Sequence, residues 1–156
     1  MPALPSSPSG HTLADVMPSV AAALGADLRN PLGLHPARDA VLLLVDGLGA
    51  ELIRAHADRA PTLAALATTM LSAGFPATTA TSLTSLAVGA PCSRHGIVGY
   101  SFRPSPDGDG PPTAFNSLRW TLGNADGPSA LETFPPREVQ TRPSLLEMLA
   151  AEPRLA

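Results

Sequence analysis

Asp46 stands at the end of the run Val41-Leu42-Leu43-Leu44-Val45 and is followed by Gly47. A run of large apolar residues reads as a strand buried on both faces. A carboxylate directly after it sits where the strand leaves the sheet, and open α/β sheets bind ligands beyond those ends. An ionised Asp at an apolar rim is costly unless a cation or hydrogen-bond donors meet it, and a divalent metal is the natural candidate. The plainer alternative is that Asp46 caps the next turn or helix, with Gly47 and Gly49 supplying backbone freedom.

A second group lies at Thr78-Thr79-Ala80-Thr81-Ser82, just after Gly74-Phe75-Pro76. Threonine is a mediocre helix former, so a cluster at a helix start needs a reason. One reason is capping of the orphan amides. The other is chemical. A helix N-terminus holds phosphate oxygens with its free N–H groups and dipole, and a hydroxyl placed there becomes a nucleophile when a metal lowers its pKa. His95, before Gly96, is either a ligand or the residue that fixes a turn, and the turn role is preferred.

These residues need a scaffold. Thr12 to Asp15 resembles a capping box, and Leu13, Val16, Met17, Val20 and Leu24 then follow helical spacing up to Gly25. A strand is expected at 41–45, helices at 50–57 and 61–67, and a second strand at 68–73. A helix should run from Thr79 to Ala87 and end at Gly89. Residues 97–102 read as an edge strand, 103–112 as a Pro/Asp/Gly-rich surface loop, and 113–120 as a weak strand. Ser144 to Glu147 is a further capping-box pattern that opens a helix to about Ala151. This order implies an α/β fold with a mostly parallel sheet flanked by helices. Residues 1–10 are Pro/Ser-rich and expected to be flexible, leaving 11–156 as the folded unit. The last helix should feed a strand and none follows, so the chain reads as the apparently truncated, N-terminal part of a larger domain.

Composition narrows the function. Of 156 residues, 44% are apolar, enough for a real core. Only 15% are charged, the formal net charge is -3, and no basic patch with interleaved aromatics appears, which argues against duplex nucleic-acid binding. Cys92 is the single cysteine, so neither an intrachain disulfide nor a cysteine-built zinc site can form; this is compatible with the cytoplasm. No signal-peptide pattern or membrane-length apolar run is present, so no membrane partner is expected.

Val45-Asp46-Gly47, Phe75-Pro76, Thr79, Gly89 and His95-Gly96-Ile97 together resemble the type I phosphodiesterase and nucleotide pyrophosphatase family of the alkaline phosphatase superfamily. The resemblance is strong over residues 40–100 and weaker through Asn116–Trp120 and the final helix. It implies an alkaline-phosphatase-like fold and hydrolysis of phosphodiester or pyrophosphate bonds in a small-molecule or nucleotide substrate. It further implies two divalent metal ions, zinc by expectation, with Asp46 a metal ligand and Thr79 both nucleophile and ligand. Thr78 should point elsewhere. Many relatives carry Pro-Asn two and three residues after the nucleophile, where the Asn holds a phosphate oxygen. Here Thr81 and Ser82 occupy those places, and Ser82 can still donate one hydrogen bond to substrate. The family's downstream Asp and His ligands are missing: His11, His35, His56 and His95 show no metal-ligand spacing, and there is no Asp-His dipeptide.

Three other readings compete. Within the superfamily, a phosphomonoesterase or phosphonate hydrolase fits the same residues; a formylglycine sulfatase would need Cys or Ser at 79, and a mutase generally carries Ser there. The chain could instead be a catalytically silent fragment. Trp120 with Phe115 could form an exposed binding patch, although packing against the sheet is the commoner use of such residues. Neither the oligomeric state nor the physiological substrate is legible.

Overall fold

The structure, a computed structural model, describes residues 10–103, 114–123 and 125–152. All of the stretch 1–10 except Gly10, and all of the surface loop 103–112 except Arg103, lie outside the described residues, as does Thr113.

The core is built by three helices. A 3-10 turn over Leu13–Asp15 leads into α1, Val16–Ala23. The Asp15 carboxylate secures this entry, accepting the Thr12 amide at 2.9 Å and Arg29 Nη1 at 2.8 Å. Met17 of α1 meets Leu86 of α4 (Thr79–Val88) and Leu145 of α7 (Leu145–Ala150), with Val16 and Leu28 alongside. The α7 start has the expected box: Ser144 Oγ accepts the Glu147 amide at 3.2 Å, and Glu147 Oε2 accepts the Ser144 amide at 2.8 Å. α4 ends at Gly89 with φ of +63°, and a Cβ there would lie 2.8 Å from Pro18 Cγ. Conformation and close approach both demand glycine at this position.

Short elements surround this core: α2 (Ala50–Ala55), α3 (Pro61–Leu66), α5 (Cys92–His95) and α6 (Pro136–Val139). Strands β1 (Ser101–Phe102), β2 (Phe115–Asn116) and β3 (Thr121–Leu122) form an antiparallel sheet in the order β1-β2-β3. Phe102 and Leu122 flank Phe115 in register. The Phe115 ring is fully buried and meets Phe102, Trp120 and Phe134 edge-on, at centroid distances of 5.6, 4.8 and 5.7 Å.

The expected mostly parallel sheet is absent among the described residues. The run 41–45 forms no strand, and Val41 and Leu43 are 96% and 82% exposed. The expected strand at 68–73 is reduced to one parallel bridge, Thr12 with Ser72, held by Leu13 N to Ser72 O at 3.0 Å and Ser72 N to His11 O at 2.9 Å. The edge strand at 97–102 shrinks to Ser101–Phe102. A doubly buried strand exists only when neighbours bond to both of its edges. Residues 41–45 have the apolarity of such a strand, but no described segment lies alongside to pair with them. The architecture is therefore mixed helices with a small antiparallel sheet. No helix among the described residues is long and apolar enough to cross a membrane.

Candidate active site

The first turn of α4 is the centre of the site. Thr78 is its N-cap, in extended conformation, and its Oγ1 accepts the Thr81 amide at 3.4 Å while its carbonyl accepts the Ser82 amide at 2.9 Å. This is the capping role that a threonine cluster offers. Thr79 follows as the first helical residue. The amides of Thr79 and Ala80 lie in the first turn, where no intrahelical acceptor exists, and the helix dipole adds partial positive charge there.

Asp46 reaches the same place from the other side. The Leu48 amide bonds the Val45 carbonyl at 3.4 Å, closing a turn in which Gly47 takes φ of +75°. Glycine at the third position lets the chain reverse there, and α2 begins soon after. Thr79 Oγ1 donates to Asp46 Oδ2 at 3.3 Å. The two residues share a cleft of about 570 Å³ with Leu44, Gly49, Met70 and Ser82. Ser82 thus lies one helical turn along from Thr79 in the same space.

Among the described residues lining this cleft, Asp46 is the only one with a charged side chain. A phosphodiester would meet two partly positive amides and one carboxylate of its own sign. A bound cation would reverse that balance. Two oxygens each about 2.0–2.2 Å from a tetrahedral zinc lie about 3.3–3.6 Å apart, so the observed 3.3 Å suits Asp46 and Thr79 as two donors to one cation. The described residues go no further: they contain no cluster of three or more His, Cys, Asp or Glu side chains that could hold a metal.

His95 lies outside this cleft. It is 4% exposed, and both ring nitrogens are engaged: Nε2 with Ser85 Oγ at 2.9 Å, and Nδ1 accepting the Ile97 amide at 3.1 Å. A backbone amide can only donate, so Nδ1 is bare and the proton sits on Nε2. Burial, and secondarily the Arg142 guanidinium, push the His95 pKa below its ordinary value. It fixes the turn after α5 and is no metal ligand here. Trp120 and Phe115 do not form an exposed patch; Phe115 is buried and Trp120 Nε1 donates to Phe134 O at 2.8 Å.

Sequence reasoning missed the role of Thr81. It is 1% exposed and its hydroxyl donates to the Ile97 carbonyl at 3.1 Å. That carbonyl lies sixteen residues away, and no local pattern announces it.

Comparison with known proteins adds one match. The family model for type I phosphodiesterase / nucleotide pyrophosphatase covers residues 40–136, more than half of the chain, and includes Asp46, Thr79 and Ser82. Searches of curated proteins and of solved structures return no match. The matched segment spans the turn carrying Asp46, the first turn of α4 and the sheet around Phe115, and on that extent the chain belongs to the type I phosphodiesterase / nucleotide pyrophosphatase family.

Proposed function

We propose that the cleft hydrolyses phosphodiester or pyrophosphate bonds with Thr79 as nucleophile, in a catalytic domain to which residues 11–156 contribute the N-terminal part. The carrying observation is the hydrogen bond from Thr79 Oγ1 to Asp46 Oδ2 at the start of α4. Family membership supports the hydrolase class.

In this reading the Thr79 oxygen bonds to phosphorus as the bond to the leaving oxygen breaks. The hydroxyl proton passes to water, while the Asp46 carboxylate fixes where the Thr79 oxygen stands. The amides of Thr79 and Ala80 and the Ser82 hydroxyl face the non-bridging phosphate oxygens. Water then cleaves the phospho-threonine, and the second product leaves. Asp46 and Thr79 are the donors proposed to hold a divalent metal, zinc by the family resemblance, with further donors, and those for a second ion, coming from outside the described residues. Such ions, when bound, neutralise charge on the attacking and leaving oxygens. The substrate is a small phosphodiester or nucleotide, and the single cysteine suits a cytoplasmic setting.

The test is Thr79→Ala in the full-length protein, assayed on bis(4-nitrophenyl) phosphate with added zinc. Turnover should fall by about a thousandfold, while Thr79→Ser keeps part of it. Unchanged turnover in Thr79→Ala removes the nucleophile assignment.

A further inference from the structure

A continuous chain of hydrogen bonds runs from the buried His95 to the first turn of α4. Ser85 Oγ meets His95 Nε2 at 2.9 Å. His95 Nδ1 accepts the Ile97 amide at 3.1 Å. The Ile97 carbonyl accepts Thr81 Oγ1 at 3.1 Å. Thr81 Oγ1 in turn accepts Thr78 Oγ1 at 3.0 Å, and Thr78 Oγ1 accepts the Thr81 amide at 3.4 Å, which closes the cap.

Every link has a forced direction. The Ile97 amide must donate, so Nδ1 must accept. The Thr81 hydroxyl spends its one proton on the Ile97 carbonyl, so toward Thr78 it can only accept. The Thr78 hydroxyl spends its proton on Thr81 and can therefore only accept the Thr81 amide. Hydroxyls that donate and accept in sequence polarise one another, and away from water no competing partner offers itself. His95, Ile97, Thr81 and Ser85 are all buried. Ile97 is thus held at its amide by His95 and at its carbonyl by Thr81, on two successive peptide units, and the chain of contacts ends one residue before Thr79.

We propose that His95 is a positioning residue for Thr79, acting through Ile97, Thr81 and Thr78 to hold the N-cap from which the Thr79 hydroxyl is aimed at Asp46. The proposal rests on the reading of Thr79 as the reacting group, but its geometry can be tested without turnover. Its middle link is Thr81, whose hydroxyl donates to the Ile97 carbonyl while its amide closes the Thr78 cap.

The experiment uses the whole chain and three readouts. Nitrogen NMR of the His95 ring at neutral pH should show a bare Nδ1 and a protonated Nε2; the opposite tautomer overturns the proposal. Amide exchange at residue 81 reports the cap. Thr81→Val should raise it by about tenfold and shift the Thr79 signals, and Thr81→Ser should restore both. His95→Asn, whose amide oxygen can stand in for Nδ1, should keep the cap better than His95→Ala. Exchange and Thr79 signals left at wild-type values by both Thr81→Val and His95→Ala overturn the proposal. If His95→Ala does not fold, the ring tautomer and the Thr81 pair still decide. On the diester substrate, Thr81→Val should lower kcat by about tenfold with KM changed less than about twofold. A loosened cap with kcat unchanged overturns the positioning role. Absence of turnover in the full-length wild-type protein with added zinc would count against the hydrolase reading, and the tautomer and exchange results would then decide the relay on their own.

Discussion

Thr79 Oγ1 lies 3.3 Å from Asp46 Oδ2 although thirty-three positions separate the two residues. One comes from the first turn of a capped helix, the other from a glycine-assisted turn before α2. Among the described residues, no charged side chain other than Asp46 lines their cleft. The pair is therefore the place where a cation would change the site's electrostatics most.

Replacing Asp46 with Asn tests that directly. Asparagine keeps an oxygen that can accept from Thr79 but removes the charge that attracts a cation. Zinc affinity, measured by calorimetry against a chelator-buffered series, should fall by at least about tenfold. Affinity equal to wild type would mean that zinc binds elsewhere.

Ser82 is a substrate contact in the proposed reaction, and its loss should register mainly in binding. Ser82→Ala removes one hydrogen bond to a charged phosphate oxygen, a loss of about 1.5–3 kcal/mol at most. The expectation is a raised KM on the diester substrate with a smaller change in kcat. An unaltered KM would take Ser82 out of the substrate's reach.

Gly89→Ala should destabilise the fold without touching the cleft. The residue sits at φ of +63° and its new methyl group would meet Pro18 Cγ at 2.8 Å. The left-handed backbone alone costs about 1–2 kcal/mol, and relief of the clash adds to it. Urea unfolding should show a midpoint shift of that sign, and a variant as stable as wild type would refute the close packing of α4 on α1 and α7.

Acid should weaken the turn after α5. The folded His95 titrates below its ordinary value of 6.5, through burial and the nearby Arg142 charge. As pH falls below 6.5 the unfolded chain binds a proton that the folded chain does not. Stability contributed here is complete above 6.5, declines as pH drops toward the folded value, and then levels off. Unfolding curves between pH 7.5 and 5 should show this decline in the wild type and a shallower one in His95→Asn. Equal slopes would mean the imidazole is not held neutral.

Local signals were the ones that could be read from the residue order. The Ser144 to Glu147 box, the α4 boundary at Gly89 and the turn-fixing use of His95 each depend on neighbours within a few positions, and each is present in the structure. So is the meeting of the Asp46 and Thr79 side chains, which the combined motif implied and no single piece did. The parallel sheet was not legible in this sense. The apolar run at 41–45 records what such a segment would bury, but a strand also needs a partner, and that information lies elsewhere in space. Thr81 failed for the same reason: its partner is a carbonyl beyond the end of its own helix.

The two halves of the Thr79–Asp46 pair are anchored unequally. Thr79 stands on a helix packed into the core, whereas the ribbon leading to Asp46 forms no ladder with any of the described residues and leaves Val41 and Leu43 open to water. A ligand that bridges the pair must therefore restrict the ribbon as it binds. Part of its affinity goes into that restriction, so heat measurements of association should carry an unfavourable entropy absent from a site built on two rigid supports.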